Sequence, residues 1–257
     1  MAQQTVDELA RELERLREQL AEHEQAATLQ KEQLERYAAD LRETFKQERA
    51  RSVQLADSAK QLQESYMATV RALSNAVEAR DAYTGKHAER VAAYGLEIAR
   101  ATGGTLASDP QIEFGFLLHD VGKVAVPDAI LYKPEPLSHE ERMLMERHPV
   151  TGFEILSDID FLGAAKDVVR SHHERWDGNG YPDGLAGEEI PFAARVFAAA
   201  DTLDALTSSR PYRPAMGMDD ARKIIAAGSG SQFDPDVVAA FNVVPDEVFE
   251  RLSREIA

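Results

Sequence analysis

Histidine and aspartate recur through this sequence in short clusters whose spacing suits a hydrolytic site with two metal ions. The candidate ligands are His87, His119, Asp120, His148, His172, His173 and Asp201. Imidazole and carboxylate groups together suit Mn, Fe or Zn, and the absence of cysteine excludes thiolate ligation. Any one of these histidines alone is typical of a structural or surface residue. The combined order of a histidine, His-Asp, another histidine, His-His-Glu and an aspartate favours a metal site.

The adjacent pair His119-Asp120 is the centre of the predicted site. Two neighbouring residues on a helix point about 100° apart, so one ion can take His119 while the carboxylate of Asp120 bridges to a second. Two ions roughly 3.5–4 Å apart lower the pKa of the water between them, and the resulting hydroxide attacks a phosphoryl group that the ions clamp. The nitrogen-rich, oxygen-bridged ligation favours Fe or Mn. The other candidates divide between the ions: the first would take His87 and Asp201, the second His148, His172 and His173.

Basic residues close to these clusters are candidates for holding a phosphate. Lys123 follows Asp120 by three residues, so on a helix it returns to the same face, where it would stabilise charge that develops on phosphoryl oxygens. Arg210 and Arg213 lie on either side of Pro211, and two guanidinium groups aimed at one cleft would grip phosphates. A surface lysine and a helix C-terminal charge effect are the alternatives.

The stretch Gly180-Tyr181-Pro182 predicts a shaped loop, because glycine permits unusual backbone angles and proline fixes its own. Tyr181 is therefore a candidate for contact with the substrate, and packing within the loop is the alternative. His23 and His139 lie outside the ordered histidine and aspartate clusters. We expect both to face solvent.

The N-terminal part of the chain is predicted to form a long helix, because residues 1 to about 80 contain neither glycine nor proline. Apolar residues recur alternately three and four apart, which is the heptad spacing of a coiled coil. They are Val6, Leu9, Leu13, Leu16, Leu20, Leu34, Tyr37 and Leu41. Polar residues such as His23 and Gln30 interrupt the seam, and the step from Leu41 to Phe45 indicates a stutter. We expect residues 1–75 to be a parallel dimerising stalk; the alternative is a solvated, partly disordered charged helix.

The remainder, residues 76–257, is predicted to be the catalytic domain and nearly all helical, since no convincing strand alternation appears. Helices are expected over 87–101, over 109–120 with His119-Asp120 at its end, and over 192–208. Ser138 and Glu141 form a capping box that opens another. The fold class predicted is therefore all-α: a multi-helix metal-binding domain preceded by a long N-terminal coiled-coil helix.

Charge and hydropathy narrow the range of partners. The formal net charge of −16 argues against a nucleic-acid polymer or an anionic membrane as the partner. The sequence has no signal-peptide core and no apolar run of membrane-spanning length. We expect a cytoplasmic protein, and a longer parent chain with an upstream sensor domain remains open.

Six segments in order resemble one family. RDAYTGKHAERV, LLHDVGK, MERHPVTG, SHHERWDGNGYPDG, AAADTLDALTSSRPYR and SGSQFDPDVV cover the region from about 70 to 257. This region resembles the HD-GYP domain, a branch of the HD phosphohydrolase superfamily that hydrolyses the bacterial second messenger cyclic di-GMP. The resemblance implies an all-helical domain with a histidine and aspartate metal cage, and cleavage of 3′–5′ phosphodiester bonds to pGpG or GMP.

Transferred by position, the resemblance implies the same seven metal ligands and assigns dinucleotide contacts to Arg210 and Arg213. Some family members hold a third metal with a glutamate one helical turn before the first histidine. Tyr83 occupies that position here, so we expect two ions. Two alternatives stay open: another substrate, such as 3′,3′-cyclic GMP-AMP, a linear dinucleotide or a nucleotide monophosphate, and a signalling module that binds partners through the GYP loop.

Overall fold

The computed structural model describes residues 2–80, 86–209 and 214–256. In these ranges the regular elements are all helical, and strand-like pairing is limited to two isolated bridges, Asp177 with Ala186 and Ser229 with Phe233. The all-α class predicted from the sequence is therefore confirmed. Among the same residues, no helix combines the length and the apolar character needed to cross a membrane.

The chain divides into two compact units, residues 1–64 and 65–257. In the first unit the described residues form a single helix, the beginning of α1 (Ala2–Glu78). Apolar side chains of the heptad seam are exposed in the single chain: Leu9 is 65% exposed, Leu34 61% and Tyr37 71%. A dimeric coiled coil stays a prediction, as does the domain boundary expected at residue 75. The last turns of α1 belong to the second unit.

The second unit is a compact array of helices after the end of α1. The α-helices described are α2 (His87–Ala101), α3 (Pro110–Leu118), α4 (Asp128–Leu131), α5 (His139–Met145), α6 (His148–Leu156), α7 (Ala165–Ser171), α8 (Phe192–Thr207), α9 (Met218–Ala227), α10 (Pro235–Val243) and α11 (Asp246–Ile256). Short 3-10 turns connect some of them, including Val121–Ala125 after α3. The capping box predicted for Ser138 and Glu141 opens α5.

Helix α2 lies at the centre of the core and packs against α8 and α3. Its inner face carries Val91 and Ile98, which are fully buried together with Phe197 of α8. At Gly95 a Cβ atom would lie 2.5 Å from the ring of Phe116, so only glycine allows α2 and α3 to approach this closely. The close approach brings the beginning of α2 and the end of α3, which carry His87 and His119, to one side of the core.

The helix predicted over residues 109–120 ends earlier than expected. Helix α3 stops at Leu118, His119 is its C-cap, and Asp120 has left helical geometry with φ −95° and ψ 8°. The chain turns because Gly122 approaches α6: a Cβ there would lie 1.9 Å from the carbonyl oxygen of His148. Lys123 still returns to Asp120, because positions i and i+3 eclipse in a 3-10 turn.

Candidate metal centre

The structure brings the seven predicted ligands together as two groups. Half-site A consists of His87, His119 and Asp201, and half-site B of Asp120, His148, His172 and His173. Within each group, one ligand atom from every residue lies within 4.8 Å of the others. This is the division expected from the sequence; that each group holds an ion stays a prediction.

Asp120 lies between the half-sites. Its Oδ2 atom is 3.0 Å from Nε2 of His119, while its Oδ1 atom is 3.3 Å from Nε2 of His148 and 3.9 Å from Nε2 of His172. The ammonium group of Lys123 lies 2.8 Å from Oδ2. Burial would raise the pKa of Asp120, but His119 and Lys123 hold it well below its usual range. The carboxylate is therefore ionised and offers one oxygen to each half-site.

Three histidines of the site use helix-end carbonyls to orient their rings. The Nδ1 atoms of His119, His148 and His172 each donate to a carbonyl oxygen three residues earlier, those of Phe116, Met145 and Val169, at 2.9, 2.7 and 2.8 Å. These carbonyls lie in the last turns of α3, α5 and α7, where helices leave them without intrahelical partners. Because Nδ1 faces the carbonyl group, each ring turns its Nε2 atom towards the site as the candidate ligand atom.

The nitrogen atoms of half-site B fit a cation. Nε2 of His148 and Nε2 of His172 lie 3.2 Å apart, close enough for both nitrogen atoms to ligate one cation. Burial, followed by the neighbouring His173 and His148, lowers the pKa of His172 well below its usual value. Burial and then His148 lower the pKa of His173 to about 4. Both rings are thus neutral near pH 7, which is the form that binds metals.

Half-site A is organised by charge. Nε2 of His87 is 3.3 Å from Oδ1 of Asp201, and its Nδ1 donates to Oδ2 of Asp204 at 2.7 Å. Burial lowers the pKa of His87, but the two carboxylates outweigh it and raise the pKa to about 10. Burial would raise the pKa of Asp201, but the contact with His87 outweighs burial and lowers this pKa to about 2. Without metal, His87 is an imidazolium, and an ion must displace its proton.

Asp204 is a site residue that the sequence reasoning missed. Its side chain is 2% exposed, and it accepts from Arg90 Nε at 2.6 Å and from Arg90 Nη2 at 3.0 Å. The hydroxyl of Ser208 donates to it at 3.2 Å. A carboxylate behind a ligand histidine fixes the ring orientation and raises the basicity of the ligand. The signal was available, because Asp201 and Asp204 lie three residues apart on α8 and so share a face.

The loop that follows His173 folds back over half-site B. The backbone N–H of Tyr181 donates to the carbonyl of His173 at 3.3 Å, and the two rings lie 4.7 Å apart at 31°. Burial, with the carboxylates of Glu146 and Asp120 nearby, raises the pKa of Tyr181. Its hydroxyl therefore keeps its proton and can donate to an anion.

The carboxylate of Glu174 holds this loop in place by hydrogen bonds. Glu174 is only 4% exposed. Its carboxylate accepts hydrogen bonds from three backbone N–H groups of the loop, those of Asp183 at 2.7 Å, Gly184 at 3.1 Å and Leu185 at 3.1 Å. The sequence reasoning noted Glu174 only as a neighbour of the histidine pair. Its position after two ligands was the available signal.

The remaining predicted residues fall into two groups. Arg210, Arg213 and Tyr83 lie outside the described residues, so their predicted roles stay predictions. His23 and His139 are exposed, as expected.

This fold and site define a class of protein. Its members are helical domains in which an aspartate lies between two groups of histidine and carboxylate ligands. The HD domain family model matches residues 71–237. The chain therefore belongs to the HD domain family, and the family predicted from the motifs is confirmed.

Several characterised proteins are similar in sequence. A cyclic di-GMP phosphodiesterase of Vibrio cholerae is 42% identical over 190 residues, which cover 68% of this chain and 39% of that protein. A cyclic di-GMP phosphodiesterase response regulator of Xanthomonas campestris is 41% identical, covering 71% of this chain and 49% of the relative. A 3′3′-cGAMP-specific phosphodiesterase of Vibrio cholerae is also 41% identical, covering 69% and 34%. The chain thus matches less than half the length of these relatives.

Solved structures share the fold. An HDG"Y"P protein from Bdellovibrio bacteriovorus has a TM-score of 0.50 at 20% identity, covering 63% of this chain and 52% of its own. A cyclic GMP-AMP specific phosphodiesterase of Vibrio cholerae has a TM-score of 0.51 at 18% identity, covering 72% and 52%. At these identities the likeness concerns the fold alone.

Proposed function

We propose that this protein hydrolyses the 3′–5′ phosphodiester bonds of cyclic di-GMP, to pGpG or GMP, with two divalent metal ions, Fe or Mn. The observation that carries the proposal is the position of Asp120, whose two oxygens face two separate nitrogen-containing half-sites. A carboxylate shared in this way is typical of sites that hold a pair of ions for phosphoryl chemistry. The names of two of the three relatives described above agree with cyclic di-GMP as the substrate.

The residues of the chain would divide the work as follows. When bound, the ions supply Lewis acidity and lower the pKa of an attacking water. Asp120 holds its carboxylate between the half-sites. Lys123, 2.8 Å from Asp120, places an ammonium group beside the position of the phosphate and balances the charge that develops on its oxygens. Tyr181 keeps a protonated hydroxyl over half-site B, and Arg210 and Arg213 would grip the other phosphate.

We also infer a homodimer through the first unit. Exposed leucines at heptad spacing on a helix of this length need a partner to leave water. A second copy supplies the same seam. A double substitution of Leu13 and Leu16 by Asp would convert the dimer into a monomer in light scattering. A cytoplasmic location and an upstream signalling partner stay predictions from the sequence.

The test is a turnover assay on anaerobically purified protein with metal analysis and added Mn(II) or Fe(II). We expect two ions per chain and hydrolysis of cyclic di-GMP. Asp120→Asn removes the shared charge, so turnover should fall at least about 10³-fold. Asp167→Asn is the matched control, because Asp167 is an exposed aspartate of the same unit.

Three outcomes are informative. Protein without bound metal, or turnover retained by Asp120→Asn, contradicts the proposal. A larger kcat/KM for 3′,3′-cyclic GMP-AMP than for cyclic di-GMP would transfer the assignment to that substrate, which the name of a third relative makes the relevant competitor. Two bound ions with no turnover of either would point to another phosphodiester.

A further inference from the structure

The end of α1 is joined to the segments that carry the metal ligands by polar contacts that the proposed mechanism does not use. Four residues make these contacts: Arg71, Ser74, Glu78 and Arg80. We call this set the α1 clamp. All four belong to the second unit, residues 65–257.

Glu78 supplies the cap that the beginning of α2 lacks. The N-cap position of α2 is Lys86, which has φ 57° and makes no side-chain capping hydrogen bond. The N–H groups of the first helical turn have no partners within the helix. Oε1 of Glu78 accepts the N–H of Ala88 at 2.6 Å. Ala88 directly follows the ligand His87, so the carboxylate of Glu78 holds the backbone from which that ligand projects.

Ser74 makes the equivalent contact at the end of α3. Its hydroxyl donates to the carbonyl oxygen of Leu117 at 2.7 Å, and the residue is 4% exposed. Leu117 lies two residues before His119, in the turn whose carbonyls are left without helical partners. Glu78 and Ser74 lie four residues apart on one face of α1, so one helix face contacts the backbone beside both histidines of half-site A.

Arg71 and Arg80 extend the clamp to either side. Arg71 is paired with Glu113 of α3 at 3.1 Å. Arg80 donates to the carbonyl of Val124 at 2.6 Å and to the carboxylate of Asp128 at 2.7 Å. Val124 directly follows Lys123, so the segment that carries Asp120 and Lys123 is held as well.

The clamp borders half-site A directly. Ser74, Val77 and Glu78 line a cavity of about 20 Å³ whose other lining residues include His87, His119 and Asp120. That volume has room for about one water molecule, so a small shift of α1 would be transmitted to these histidines by packing. In the part of the chain that the structure describes, the contacts of the clamp end on α2, α3 and residues 124–128. None ends on α6 or α7, on or next to which His148, His172 and His173 lie. The ligand of half-site B nearest the clamp is Asp120, which also faces His119 of half-site A.

We infer that Ser74 and Glu78 are positioning residues for half-site A, and that the position of the end of α1 controls metal affinity at half-site A more strongly than at half-site B. The inference rests on the proposed function, because it requires two bound ions. It gives α1 a specific means of control: displacement of the helix empties one of two half-sites and leaves the fold and the other ion in place.

Titration of the full-length metal-free protein with Mn(II), followed by equilibrium dialysis and electron paramagnetic resonance, tests the inference. Two Mn(II) ions roughly 3.5–4 Å apart couple magnetically, whereas a single ion gives an isolated six-line spectrum. The variants are Ser74→Ala and Glu78→Ala, and Asn75→Ala is the control on the same turn of α1, with an exposed side chain. Circular dichroism and thermal unfolding check the fold of each variant.

We expect one ion to bind all variants with the affinity of the wild type. The second ion, defined as the one that His87→Ala fails to bind, should bind Ser74→Ala and Glu78→Ala about 10-fold or more weakly, as losses behind a metal ligand do. The spectrum of an isolated ion should then persist in these variants at higher Mn(II). Glu78→Gln should restore the second ion, because an amide oxygen still accepts the N–H of Ala88. Ser74→Ala remains decisive if Glu78→Ala does not fold.

Two results would overturn the inference: unchanged affinity for the second ion in both alanine variants, or equal weakening of both ions. Failure of the proposed function is recognised separately, because then the wild-type protein itself would not hold two ions.

Discussion

Half-sites A and B offer similar ligand types but are organised in different ways. In half-site B, His148 and His172 are oriented by carbonyl groups at the ends of helices, and the pKa values of His172 and His173 are lowered. In half-site A, His87 lies between two carboxylates, which raise its pKa to about 10. His172 and His173 of half-site B are thus neutral and prepared for a cation near pH 7, whereas half-site A already contains a proton in the place of the ion.

The difference predicts an order of filling. An ion that enters half-site B displaces no proton from His172 or His173 at neutral pH, so no proton on these two rings competes with it. An ion that enters half-site A competes with the proton on His87, and the two carboxylates that favour that proton also attract the metal. We therefore expect half-site B to fill first near pH 7 and half-site A to fill second, with affinity that increases with pH.

Removal of one ligand from each half-site gives the largest expected effects. His172→Ala and His87→Ala should each lower turnover at least about 10³-fold, because both ions are needed for the displacement. Metal titrations should then separate the variants: His172→Ala loses the tight first ion, and His87→Ala loses the weaker second one. Loss of the same ion from both variants would show that the half-sites do not act as distinct units.

Removal of the charge behind His87 is expected to have an intermediate effect. Asp204→Asn keeps the shape of the side chain but removes the carboxylate that orients His87 and pairs with Arg90. The second ion should bind about 10–100-fold more weakly, and the first should be unaffected. Ser208→Ala is the control, since it keeps the carboxylate and removes only the longer contacts with Asp204 at 3.2 Å and with Arg90 at 3.3 Å. Weakening of the first ion alone would contradict the assignment of Asp204 to half-site A.

The stability of the metal-free protein should depend on pH with opposite sign at the two half-sites. The pKa of His173 is lowered from 6.5 to about 4, so the unfolded chain binds more protons between these values and stability falls as the pH drops through this window. The pKa of His87 is raised from 6.5 to about 10. Its contribution is complete below pH 6.5 and is lost as the pH rises towards 10.

Urea denaturation at several pH values measures how the unfolding free energy changes on the acid side and on the alkaline side. We expect His173→Asn to reduce the acid-side loss of unfolding free energy and His87→Asn to reduce the alkaline-side loss, each by on the order of 1–2 kcal/mol. The wild-type protein, made metal-free with a chelator, is the reference. An acid-side change in the His87 variant, or an alkaline-side change in the His173 variant, would reverse the comparison.

The loop over half-site B should give the smallest effect. Tyr181→Phe keeps the ring that packs on His173 at 4.7 Å and removes only the hydroxyl. Metal affinity should be unchanged, and KM should rise by less than about 10-fold if the hydroxyl contacts the phosphate, consistent with a single neutral hydrogen bond. Tyr181→Leu also removes the packing surface and should weaken the first ion slightly. A change in the affinity for the second ion instead would assign Tyr181 to half-site A.

Several features of the fold could be predicted because they depend on neighbours in the chain. Helix α2 (His87–Ala101) has the predicted bounds, and the capping box of α5 lies where Ser138 and Glu141 indicate it. The end of α3 was predicted two residues too late. The turn there depends on contact between Gly122 and the backbone of His148, which local periodicity does not report.

The sequence by itself determined the helical class, the candidate ligands and their chemistry, because residue type and short-range spacing are properties of the chain. Tertiary structure decided what those ligands can do. The hydrogen bond between His87 and Asp204 spans 117 residues, and the one between Ser74 and Leu117 spans 43. Which helix-end carbonyl orients a ring, and which carboxylate stands behind a ligand, depends on how the helices pack. Packing is set by the whole core, so no single motif contains it.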